Sequence, residues 1–431
     1  SPVKANDFEH TIKRVLNLES GGTSFYSVID GAEKYIEDGK ADADIPGITA
    51  DDATREITIK LAEKDGSFNF YLAMNFAGLV KGDTPFENQN DEPPVGVGPF
   101  TLEEVKPGRG FSLVRNANFT ALENTPEAKA DRIDLTVVKN ARRQSQDVIA
   151  NKVDYLLDPP PADQIRTVKD EIADRYKEYV TNSTYYYFLN LRTPPFDDAK
   201  VRQAVAFAID ERALARIFGG LLEPSCNFLP PGMAGYEKID PCPWGDPNAA
   251  PDLEKAKALI KEAGVEGQEV TVYGNDEEES TGATEYLADT LNQIGLKAKP
   301  RIIEASVYFQ TIQNQKTKAQ TGFLNWFQDY PAPSNFLFLV DGASIQETNN
   351  PNAGNVDDPK INELIETANA NPNLEEAAAD YAAVDRALVE NAFVLPYGHR
   401  KLTKITSSRV AFDGLLFHAV YTADLTTLGA K

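Results

Sequence analysis

"YYYFLNLRTPPFDDAKVRQAVAFAIDERAL", residues 185–214, changes period in its middle, and that change decides the fold class. Residues 185–189 are three Tyr, a Phe and a Leu without interruption, the composition of a central strand with Tyr185 and Tyr187 facing one way and Tyr186 the other. Beyond Pro194 and Pro195 the apolar positions shift to helical spacing. Val201, Val205 and Ile209 share one face behind an acidic cap, and Gly219–Gly220 stop the run. Working outward, "PDLEKAKALIKEAG" (251–264) repeats the formula, with Pro251 and Asp252 opening the helix and Gly264 closing it. Then "QEVTVYGN", "LKAKPRII" and "QTGFLNWF" read as strands separated by the helical segments 280–295 and 304–318. Strand, helix, strand, helix, strand is the pattern of βαβ units around a parallel sheet. Two further helices, 357–369 and 373–392, precede a strand-like "FVLPYGHR".

The first half alternates shorter signals. Phe8, Ile12 and Leu16 recur at helical spacing, and Ile57, Ile59 and Leu61 alternate as in a strand with one buried face. "PPVGVGPFTLEEV" and "GFSLVRNANF" form a hairpin pair; "DRIDLTVV" and "VDYLLDPP" are strands flanking the helix "NARRQSQDVIANK". The chain is therefore α/β throughout, and its 431 residues suffice for two or three domains.

Composition narrows the function classes. With 66 acidic against 43 basic residues the net charge is −23, a field that repels nucleic acid and anionic lipid and mildly favours cationic or zwitterionic ligands. No apolar run approaches the ~18 residues of a membrane span. The chain starts at Ser1 without a charged-then-apolar leader. Cys226 and Cys242 lie too far apart for a redox pair and have no neighbouring His for zinc. They read as one disulfide closing a Pro/Gly-rich loop, worth about 3 kcal/mol and implying an oxidising compartment. Two unrelated buried thiols are the alternative.

Catalytic signatures are missing. No HExxH, G-x-S-x-G, Walker A or strand-linked GxGxxG occurs. In "GVGPF" (96–100) Pro99 removes an amide that a phosphate cradle would need, so it reads as a turn. Of the three His, His10 and His418 read as structural, while His399, after a strand, is placed to reach a cleft. The acidic runs "EDGKADAD" and "NDEEES" are solvated loops without calcium spacing. A glycosidase would need a second carboxylate opposite Asp329, and no motif supplies one.

The stretch richest in ligand chemistry is "NWFQDYPAPSNF" (325–336), where Trp326, Phe327, Tyr330 and Phe336 surround the carboxylate of Asp329 and Pro331 and Pro333 stiffen the exit. Asp329 falls just past the strand "QTGFLNWF". In open α/β sheets ligands bind beyond the carboxyl ends of parallel strands, so the chain delivers this carboxylate to the edge where such folds hold them.

Four stretches then carry a resemblance over the whole chain. "SPVKANDFEHTIKRVL", "GVGPFTLEEVKPGRGFSLVRNANF", "YYYFLNLRTPPFDDAKVRQAVAFAIDERAL", and "WFQDYPAPSNFL" followed by "NNPNAGNVDDPKINELI" are similar, in this order, to the extracellular solute-binding proteins of ABC importers, family 5, the dipeptide/oligopeptide class. The resemblance implies an α/β two-lobed periplasmic-binding-protein clamshell of class II (cluster C), with lobe I at 1–195, lobe II at 196–391 and a return to lobe I at 392–431. Two crossing strands, 184–195 and 392–400, would be its hinge. Members carry further sequence before the first helix, so lobe I is expected to be incomplete here. The natural protein is expected to be longer, with a Sec signal and a lipid-anchoring Cys, or a separate N-terminal fragment would complete the lobe.

The function implied is capture of an extracytoplasmic solute, periplasmic or at the cell surface, and its delivery to ABC permease subunits. The protein would be a monomer, without cofactor or catalysis. Asp329 matches the carboxylate that pairs with a peptide α-amino group, which favours a di- or oligopeptide; an oligosaccharide, opine or metal chelate is the alternative, and a secreted glycoside hydrolase or peptidase a distant one. Asn325, Trp326 and Phe327 would wall the site. Tyr186 and Tyr397, at the hinge crossings, are secondary candidates, and His399 or Arg400 would meet a ligand carboxylate.

Overall fold

The computed structural model describes residues 2–18, 20–89, 92–418 and 422–431. The chain divides into two compact units. The first contains Ser1–Asp158 with Ile405–His418 and Thr422–Lys431, and the second contains Pro159–Lys404.

In the first unit the helix Ala5–Asn17 buries Phe8, Ile12, Val15 and Leu16, the face expected from its spacing. The strands Phe100–Lys106, Gly110–Arg115 and Arg132–Thr136 form an antiparallel three-stranded sheet, so the hairpin read from the sequence is present. The strand Glu56–Ile59 is also present, but it pairs only with Ile48–Asp51. Its expected buried face is not realised: Ile57 is 42% exposed. A two-stranded ribbon has too little neighbouring surface to cover its own apolar positions.

The second unit is built on a mixed sheet. Its strands run in the order Lys297–Ile303, Glu269–Asn275, Thr321–Phe327, Ser183–Leu189 and Val394–Thr406. The first three are parallel, as the alternating helices require, and the last two join antiparallel. All seven residues of Ser183–Leu189 are buried, which is the central strand predicted from the tyrosine run. Its two faces pack as the alternation demands: Tyr187 lies 4.8 Å from Tyr397 between ring centroids, while Tyr186 meets Phe228 edge-on on the other side at 5.1 Å.

The helices obey their sequence signals. Ala199–Ala208 is capped by Asp198, which accepts from the Lys200 N–H, and buries Val201 and Val205. Leu253–Ala263 is capped by Asp252 and stopped by Gly264, whose φ of 69° is the left-handed conformation that glycine adopts without strain. The outer strand Lys297–Ile303 carries Lys297, Lys299 and Arg301, and Pro300 within it has no N–H to offer.

The second unit takes in residues 159–195 and 392–404 together with the middle segment, because Ser183–Leu189 and most of Val394–Thr406 are strands of its sheet. Cys226 and Cys242 are joined in a disulfide with Cα atoms 6.0 Å apart. Among the described residues no helix is long and apolar enough to cross a membrane.

Candidate functional site around Asp329

The strands Glu269–Asn275 and Thr321–Phe327 are parallel and end at the same edge of the sheet. Asp329 lies two residues past the second of them, half-buried, on a turn that the sequence stiffens twice. Pro333 leads into the short helix Ser334–Leu337, and the Phe336 N–H donates to the Pro333 carbonyl at 2.8 Å. Asn335, fully buried in that helix, grips Asp329 from two sides. Its Oδ1 accepts from the Asp329 N–H at 2.7 Å, and its Nδ2 donates to Asp329 Oδ2 at 3.0 Å.

That leaves the carboxylate fixed but not saturated. Among the described residues no Lys or Arg pairs with Asp329, and Oδ1 receives no hydrogen bond from the protein. Burial raises its pKa above the ordinary carboxyl range, with the Asn335 amide pulling the other way. A half-buried carboxylate held in place without a counter-ion gains most from a ligand that brings a positive charge.

The side chains beside it divide by the period of the strand. Asn325 and Phe327 share the face of Tyr185, Phe327 and Tyr185 lying 6.0 Å apart between centroids. Trp326, opposite Thr184 in register, is on the other face, where its ring meets Phe338 edge-on at 5.1 Å. Three consecutive strand residues therefore do not form one wall. Trp326 Nε1 and Thr184 Oγ1 are both buried without a hydrogen-bond partner among the described residues.

Tyr186 and Tyr397 are both packed into the core, 2% and 0% exposed. Burial raises the pKa of each phenol, and the Tyr397 hydroxyl has no partner. His399 requires a correction. It does not follow a strand but sits within one, because Val394–Thr406 continues past a bulge between Pro396 and Gly398. Its Nδ1 donates to the Ser183 carbonyl at 2.7 Å and its Nε2 accepts from the Ser225 hydroxyl at 2.9 Å. Burial pushes its pKa down to about 4, so the ring is neutral and fully engaged and has no charge for a ligand carboxylate. Arg400, also buried, is paired through Nη2 to Glu279 Oε1 at 2.6 Å, with Nη1 unpartnered.

The sequence reading missed Asn335, which grips the carboxylate, and Glu279, which takes Arg400; only the Asn at the sixth position after Asp329 hinted at the former. A small cavity of about 20 Å³ opens among Glu211, Cys226, Cys242, Trp244 and Pro396. It has room for about one water and none for a peptide. Among the described residues no group of His, Cys, Asp and Glu is arranged to hold a metal.

The profile of bacterial extracellular solute-binding proteins, family 5 (middle), matches residues 1–347. The chain is 27% identical over 367 residues to heme-binding protein A of Haemophilus influenzae, covering 81% of this chain and 63% of that protein, less than two thirds of its length. It is 25% identical over 372 residues to probable di/tripeptide-binding protein 5 of Pseudomonas aeruginosa, covering 82% of this chain and 67% of that protein. Among solved structures, the clavulanic acid biosynthesis oligopeptide binding protein 2 superposes with a TM-score of 0.88 at 24% identity, over 100% of this chain and 81% of that one. The murein tripeptide binding protein MppA of Escherichia coli gives 0.81 at 19% identity, over 100% and 84%. These likenesses show the fold, the two-lobe α/β architecture of periplasmic binding proteins. The named relatives are binding proteins, not enzymes.

Proposed function

We infer the function from one premise: the chain belongs to the bacterial extracellular solute-binding proteins, family 5. It captures a small extracytoplasmic solute carrying a free ammonium, a di- or oligopeptide, and passes it to the membrane permease of an ABC importer without altering it. One observation carries the reading: Asp329 is held by Asn335, half-buried, raised in pKa and without a cation of its own. An ammonium would relieve that burial and accept the restraint already built into the carboxylate. Asn325 and Phe327 would flank it, and Trp326 would act from the opposite face of the strand. The two units would serve as the two lobes, joined where the chain passes from one to the other at 158–159 and 404–405.

Di- and tripeptide binding by named relatives supports peptide over sugar as the ligand class. A sugar would want an open ring face to stack on, and the Trp326 ring is met edge-on by Phe338 at 5.1 Å. Tethering by an N-terminal lipid belongs to the same reading.

The test is calorimetry with trialanine and N-acetyl-trialanine on ligand-stripped protein. Asp329→Asn is expected to weaken trialanine at least tenfold, since removing one partner of a desolvated pair can cost about 3–5 kcal/mol. N-acetylation of the peptide should mimic the substitution. Unchanged affinity in the variant rejects Asp329 as the ammonium anchor, and turnover of peptide or glycoside substrates would reject transport. Mass spectrometry of co-purifying ligand decides between peptide and sugar. The sign of the pH dependence follows from the ionised carboxylate being the binding form. Affinity falls on acidification, and because burial raises this pKa, it falls at a higher pH than an exposed Asp would give.

A further inference from the structure

The residue before Asp329 is held as firmly as Asp329 itself. Gln328 is buried, its N–H donates to the Asn182 carbonyl at 2.8 Å, and its Oε1 accepts from Asn182 Nδ2. The Asn182 amide is in turn backed by glycine. A Cβ on Gly232 would fall 2.0 Å from Asn182 Oδ1 and 2.7 Å from Nδ2, so only a bare backbone lets Asn182 keep its orientation. Gly232 is not in the left-handed region, so the glycine is required there by contact and not by φ.

Gly232 belongs to the loop closed by Cys226 and Cys242, and that loop is pinned at its base. The buried Asp385 accepts from Asn227 Nδ2 at 2.8 Å, from the Phe228 N–H at 2.8 Å and from the Leu229 N–H at 3.3 Å. Asn227 closes the loop on itself, accepting from the Ile239 N–H at 3.0 Å and donating to the Glu237 carbonyl at 2.8 Å. The Phe228 ring stands edge-on to Tyr186 of the central strand at 5.1 Å. A rigid loop thus presses one glycine against one amide, and that amide holds the Gln328 side chain, one residue before Asp329.

We propose that the disulfide-closed loop is a positioning element of the ligand site: through Gly232 it keeps Asn182 turned onto Gln328, and so fixes where the Asp329 carboxylate stands. Asn182, Gln328 and Gly232 are positioning residues that touch no ligand. The proposal rests on the reading of Asp329 as ammonium anchor. Its physical basis is preorganisation: an ionic hydrogen bond pays in affinity only if its acceptor is already in place, and a loosened support returns that ordering cost to the binding step.

Gly232→Ala is the selective probe. Its methyl meets the far end of a side chain, so Asn182 swings off Gln328 while the loop and the anchor keep their own bonds. Gly232→Ala and Asn182→Ala should each weaken trialanine about three- to tenfold, the loss of one ordinary hydrogen bond, with little change in melting temperature. The double variant should be no weaker than Asn182→Ala alone, because both act through one contact. N-acetyl-trialanine, which lacks the ammonium, should bind the variants and the parent alike. In ligand-free protein both variants should speed amide hydrogen exchange across residues 328–330. Unchanged exchange there, or additive losses in the double variant, overturns the proposal. If Asp329→Asn lowers affinity while Gly232→Ala and Asn182→Ala do not, the loop fails and the anchor stands. If Asp329→Asn itself changes nothing, the functional reading fails first.

Discussion

Asp329 and Asp385 are both carboxylates sheltered in the same unit, and they are held in opposite ways. Asp385 is completely buried and takes three donors, the Asn227 amide and the Phe228 and Leu229 N–H groups. Asp329 is only half-buried and takes one side-chain donor, from Asn335, on one of its two oxygens. Burial raises the pKa of both, Asp385 to about 6, yet of the two only Asp329 keeps a whole oxygen without a donor among the described residues. Sheltered carboxylates are therefore better sorted by how many of their lone pairs the protein satisfies than by how far their pKa moves. One with donors on both oxygens is part of the scaffold; an immobilised one with a free oxygen at the carboxyl edge of parallel strands suits the ligand role proposed for Asp329.

The largest expected effect separates the two by stability. Asp385→Ala would strand three buried donors, at about 3–5 kcal/mol in total, lowering the melting temperature by about 10 °C in calorimetry. Asp329→Asn should do the opposite on a smaller scale, raising the melting temperature of the ligand-free protein by about 1–3 °C while removing affinity, because it relieves a charge that the fold leaves unpaired. A loss at Asp329 comparable to that at Asp385 would erase the distinction. The smallest effect sharpens it with a third carboxyl. Glu211, beside the disulfide, has its pKa raised to about 8 by burial, with Asp210 adding to the rise and Arg212 pulling the other way. Between the ordinary value of 4.5 and about 8 the folded protein keeps a proton that the unfolded chain releases, so this group costs stability progressively as pH rises through that window. Glu211→Gln should match the parent near pH 4.5 and exceed it increasingly toward pH 8 and above, measured as melting temperature against pH. His399 contributes the reverse slope. Its pKa is lowered from 6.5 to about 4, so its share of stability is lost as pH falls across that interval.

Much of this was legible in the residues because it follows from period and punctuation. The tyrosine strand, the capped helices at 199–208 and 253–263 and the parallel order of the middle sheet all come from local patterns that burial then enforces. Asp329 was legible for the same reason, as a charge just beyond a strand. What escaped was long-range. His399 looked like a strand terminus because Pro396 and Gly398 read as breakers, yet a bulge absorbs them and Val394–Thr406 runs on. Where the chain divides was not legible either, since nothing local shows which segments the strand 183–189 joins on its two sides. The Asn182–Gln328 contact joins positions 146 apart, and no spacing rule reaches that far.

The outer strand Lys297–Ile303 bears on a different matter, how the protein avoids pairing with copies of itself. It is the side of the middle sheet that ends without a neighbouring strand, and an open strand of that length could template the addition of a foreign chain. Lys297, Lys299 and Arg301 would bring like charges together in any copy that docked edge to edge, and Pro300 interrupts the run of donors such a docking would use. If the proposed peptide capture is right, the protein must keep its own backbone from being captured, and these four residues at the border of the sheet disfavour edge-to-edge pairing of copies.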